Sequence, residues 1–135
     1  MRTLVHLVLA LTFSFAATVT QAGCFRSEPI LNVADTFVAA PAGKPSSADR
    51  GMASIVRAGA KLGWQIQEEA PGKLVGTLTL RSHIAVVEIP YSSTNYSIHY
   101  KSSIDLNDGE AQIHKNYNGW IRNLANGINA QFLLI

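Results

Sequence analysis

The chain has 135 residues, with 11 lysines and arginines against 9 aspartates and glutamates, a net charge of +2 and a single cysteine. Its basic residues are scattered, with no run of three, so it lacks the electrostatic footprint of a nucleic-acid binder. One cysteine cannot make an internal disulfide, and the length suits one domain with one modest core.

The amino terminus reads as an export signal. Arg2 supplies a positive charge, and an apolar run follows from Leu4 to Ala17, broken only by His6, Thr12 and Ser14. Small residues then surround Thr20 and Ala22. That order is charged region, apolar region and cleavage region, and the run is shorter than the roughly 20 residues of a membrane span. Residues 1–23 are therefore expected to be a signal peptide. Two cleavage schemes remain open. Signal peptidase I would cut after Ala22; alternatively, Ala22-Gly23-Cys24 matches the end of a lipobox, with Gln21 where such signals usually carry Leu. A lone thiol in an oxidising compartment favours lipidation of Cys24, with an intermolecular disulfide, a reactive thiol or a chance position as the rivals.

Residues 24–45 read as an extended tether, punctuated by Pro29, Pro41, Gly43 and Pro45, with a short edge strand over Ile30 to Val33. Residues 46–135 form the domain proper. Ser46 and Asp49 resemble a capping box, and Met52, Ile55, Val56, Gly59 and Leu62 recur at helical spacing, which predicts a first helix over 47–62 ended by Gly63. Alternating residues predict strands from Trp64, from Lys73, over Ile84 to Tyr91 and over Tyr96 to Lys101. Ile113, Tyr117, Trp120, Ile121, Leu124 and Ile128 share one helical stripe, which predicts a second helix over about 111–128. Gly119 and Gly127 weaken it, so it must rely on tertiary packing. The apolar tail Phe132 to Ile135 finishes that helix, packs on the sheet edge or contacts a partner. The expected fold class is α+β: a two-layer sandwich in which an antiparallel meander of three to five strands packs against two helices.

The chemistry-bearing residues form no strong motif. His83 and His99 are candidate metal ligands on the outward sheet face, yet no HxH, HxxxH or CxxC spacing accompanies them, and solvated sheet-face histidines are the favoured account. Arg81 and Glu88 are placed to pair across adjacent strands. Neither a nucleophile elbow nor a phosphate-cradling loop is present. The densest polar and aromatic block is Ile113 to Trp120. Within it His114, Lys115 and Asn118 fall off the apolar stripe, and with Tyr91 and Tyr100 on the facing strands they form the candidate ligand-binding group. No catalytic residue and no cofactor is implied.

Three segments, Ala58 to Trp64, Arg81 to Tyr91 and Ile113 to Ile121, resemble a family of small uncharacterised proteobacterial lipoproteins. The resemblance covers about residues 46–128. It implies an envelope location and a lipidated amino-terminal cysteine, which maps to Cys24, and it supplies no activity, substrate or catalytic residue. The expectation is thus a periplasmic or membrane-anchored envelope protein that acts as a non-enzymatic binding or structural module. Its partners would be the membrane, through a lipid at Cys24, and an envelope protein or small ligand. The alternative is a small periplasmic metal-binding module or enzyme using surface histidines.

Overall fold

A computed structural model describes residues 26–107, 109 and 111–135, so the expected signal peptide over 1–23 and Cys24 lie outside the described residues. The elements in chain order are β1 (Ser27–Pro29), β2 (Val33–Phe37), α1 (Ala48–Lys61), β3 (Trp64–Ala70), β4 (Lys73–Leu80), β5 (His83–Pro90), β6 (Asn95–Ile104), β7 (Gln112–His114) and α2 (Lys115–Leu134). The fold is α+β, with a five-stranded antiparallel sheet in the order β2-β6-β5-β4-β3 and a small two-stranded sheet of β1 and β7.

Consecutive hairpins build β3 to β6 as the alternating pattern requires. Leu74, Gly76 and Leu78 on β4 and Ala85, Val87 and Ile89 on β5 are buried, and the alternate residues between them face the other way. Both helices contribute to the same core, through Ile55 and Ala58 of α1 and Tyr117, Ile121, Leu124 and Ile128 of α2. No helix among the described residues is long and apolar enough to cross a membrane.

Several boundaries differ from the sequence reading. The described part of the 24–45 arm carries two strands where one was expected at Ile30 to Val33. The β2 strand joins the main sheet beside β6, and Val38 just after it is in the core. The cap of α1 is Ser47, not Ser46: its hydroxyl accepts from the Arg50 N–H at 3.2 Å. The second helix begins at Lys115 because Ala111 takes a positive φ of 58° and Gln112–His114 pairs with β1. It then continues through Leu134, so most of the apolar tail is helical.

Close approaches explain two of the glycines. A Cβ on Gly51 would lie 2.8 Å from the Ser92 carbonyl oxygen, so α1 meets the β5–β6 turn only because that atom is missing. A Cβ on Gly127 would lie 3.4 Å from Ala58 Cβ, at the α1–α2 contact. The helix-weakening glycine is thus where the two helices touch.

Candidate functional site

The residues expected to form one ligand site are distributed over two regions. Near the start of α2, the Tyr100 ring meets the Tyr117 ring edge-on, with centroids 5.7 Å apart and planes at 81°. The Tyr100 hydroxyl lies 2.9 Å from Ser103 Oγ and donates to Asn107 Oδ1 at 3.2 Å, and Ser103 Oγ donates to the same oxygen at 2.6 Å. Tyr91 belongs elsewhere. It follows β5 four positions beyond Val87, the register partner of Tyr100, which places it about 13 Å along the strand. There it lines a cavity of about 230 Å³ with Asp35, Ser92 and Asn95.

Asn118 is not a free polar group. It is 3% exposed, its Oδ1 accepts from the Leu31 N–H at 3.0 Å, and its Nδ2 donates to Glu28 Oε2 at 3.0 Å and to the Pro29 carbonyl at 2.9 Å. These three bonds clip β1 and the following turn onto α2. His114 is the cap of α2, its Nδ1 accepting from the Asn116 N–H at 3.3 Å. Lys115 is exposed, and its backbone N–H donates to the Arg26 carbonyl at 2.9 Å. The polar block that looked like a site in sequence therefore serves mostly to hold the arm and start the helix.

The histidines are separated as well. His99 faces Glu88 in register, and His83 lies five positions earlier on β5, about 17 Å away along the strand. His83 Nδ1 donates to the Asp105 carbonyl at 2.8 Å. Among the described residues no group of three His, Cys, Asp or Glu side chains is arranged to hold a metal ion.

The outer sheet face carries a charge network that differs from the expected Arg81–Glu88 pair. Arg81 sits at a φ of 57° in the β4–β5 turn, and Glu88 instead meets Lys73 and Lys101, each at 3.2 Å. Glu69 meets the same two lysines at 2.9 and 3.0 Å. Hydrogen bonds from Lys73 and Lys101 hold the Glu69 carboxyl below its ordinary value, and those from Lys101 and Lys73 do the same for Glu88. The four charges neutralise one another, which leaves that face without a net field for an ionic ligand.

The sequence reading did not locate one further feature. Phe37, Val38 and Ala39 at the end of β2 and Asn129, Phe132 and Leu133 of α2 line a largely apolar groove of about 200 Å³. Phe37 is 68% exposed, Leu133 70% and Leu134 69%. Exposed large apolar side chains at both of its walls, Phe37 and Leu133, set this groove apart. The only sequence signal for it was the apolar tail from Phe132. Protein-family models, curated proteins and solved structures alike give no match to this chain.

Proposed function

We propose that the protein is an exported cell-envelope binding module without catalytic activity, tethered to the membrane by a lipid at Cys24. The observation that carries the reading is the arrangement of the two poles along α2. The chain leaves the described fold at Arg26 and Ser27, where Arg26 and β1 lie against the start of α2. The exposed apolar groove lies at the other end of α2, a helix of 20 residues and hence about 30 Å long. A lipid three residues before Ser27 would hold the domain by one pole and leave the groove free at the other. The export signal and the leftover thiol of Cys24 give the tether its chemistry.

Mass spectrometry of the mature protein tests the tether. The expected product begins at Cys24 and carries the mass of a thioether-linked diacylglycerol. A product beginning at Gly23 with an unmodified Cys24 thiol would overturn it.

A further inference from the structure

We infer that the groove between β2 and α2 receives an extended apolar segment of another protein, which adds to the outer edge of β2, unpaired among the described residues, and inserts one large side chain. The inference deepens the binding-module reading and rests on it. The β2 strand is an outer strand of the sheet. Val38 donates its N–H to the Thr94 carbonyl at 2.7 Å, so the alternation of antiparallel pairing turns the N–H and C=O of Phe37 toward the open side. Those two groups call for an extended backbone as partner, and the apolar groove beside them calls for a side chain.

The two sheet edges are guarded differently. The β3 edge carries Glu68 and Glu69, the ordinary protection against strand addition. On β2 the protection is confined to the first half, where the register shifts between Val33 and Thr36 and Asp35 takes a φ of 44°. The half at Phe37 carries no charge, no proline and no bulge.

Size chooses among occupants. A cavity of about 200 Å³ is below the roughly 300–1,000 Å³ of small-molecule sites and suits a single side chain. A stable dimer buries about 800 Å² and 20–30 residues on each partner, far more than the few residues that line this groove. A lipid surface would be met by a helix with lysines and arginines on its polar face. The exposed face of α2 instead carries Asn123, Asn126 and Asn129, and its one cation in that stretch, Arg122, lies 3.9 Å from Glu28 Oε2.

The test is a two-dimensional NMR titration of the domain with capped, lysine-flanked peptides alternating threonine with phenylalanine or leucine, up to 1 mM. Expected are shift changes confined to 37–39 and 129–133, at least tenfold slower exchange of the Phe37 amide, and at least tenfold weaker binding by Leu133→Asp. Leu133 is exposed, so that variant should keep the unfolding midpoint of the wild type. A peptide methylated on its backbone nitrogens should also bind at least tenfold more weakly. No shift at 1 mM, or shifts centred on β3 or the outer sheet face, would sink the proposal. So would concentration-dependent shifts without peptide, which mean self-association, or sedimentation with anionic phospholipid vesicles that Leu133→Asp abolishes. The lipid at Cys24 is read separately by mass, so either claim can fail without the other.

Discussion

Tyr117 and Asn118 are neighbours on α2, and both are buried, yet their polar atoms fare differently. Asn118 satisfies both ends of its amide, one of its bonds going to the Glu28 carboxylate. Replacing it with alanine removes three bonds and strands the Leu31 N–H, so Asn118→Ala should cost roughly 2–4 kcal/mol in urea unfolding. The Tyr117 hydroxyl has no hydrogen-bond partner among the described residues, and burial pushes its pKa well above the ordinary value. A buried unmatched hydroxyl costs about 1–3 kcal/mol. Tyr117→Phe keeps the ring against Tyr100 and removes that cost, so it should unfold at equal or higher urea concentration. A loss of more than about 1 kcal/mol would contradict the burial of an unpaired hydroxyl there.

The two helices are fastened at their ends by Arg50. Its guanidinium donates to the Pro45 carbonyl at 3.2 Å and, from Nη2, to the carbonyls of Phe132 at 3.0 Å and Ile135 at 2.6 Å. The last carbonyls of a helix have no partner within it, and a cation there also matches the helix dipole. Arg50→Ala should therefore cost about 1–3 kcal/mol. It should also speed hydrogen exchange at Phe132 to Ile135 while amides of the central strands exchange as before. Gly51→Ala should be destabilising by about 1–3 kcal/mol, because the new methyl meets backbone rather than a side chain that can move. This level of organisation was only partly legible in the sequence. The α1 helix and the β3–β6 meander follow from periodicities of 3.6 and 2 sustained over many residues. By contrast β1 and β7 have three residues each, too few for a period to register, and the stripe through Ile113 runs without a break into α2. Lys73 and Lys101 find Glu88 from different strands, and Phe37 and Leu133 line one groove from opposite ends of the chain. Such meetings depend on strand order, which the local pattern does not contain.

At the scale of the whole molecule, stability should fall toward both ends of the pH range for different reasons. On the acid side, Glu69 and Glu88 have carboxyls held below their ordinary value in the fold, so their contribution is present above the unfolded value and disappears as pH falls through the folded one. These groups are solvated, so that limb should be shallow and should weaken further as salt screens the network. On the alkaline side, burial raises Tyr96 from 10.0 to about 12, and its hydroxyl donates to Asn129 Oδ1 at 2.8 Å and lies 3.2 Å from the Ala125 carbonyl. A group raised in the fold gives stability that is complete below its unfolded value and is lost as pH climbs through its folded one, here between 10.0 and about 12. A rise of that size corresponds to roughly 3 kcal/mol. Tyr96 is buried where the strand meets α2, so the loss should resist salt and should unfold the domain as one unit. Lys73, Lys101 and Tyr117 are raised too and act in the same direction. Chemical unfolding from pH 8 to 12 in low and high salt checks this. A steep loss above pH 10, the same in both salts and made shallower by Tyr96→Phe, is expected. An alkaline limb that vanishes in high salt would instead assign it to the surface lysines.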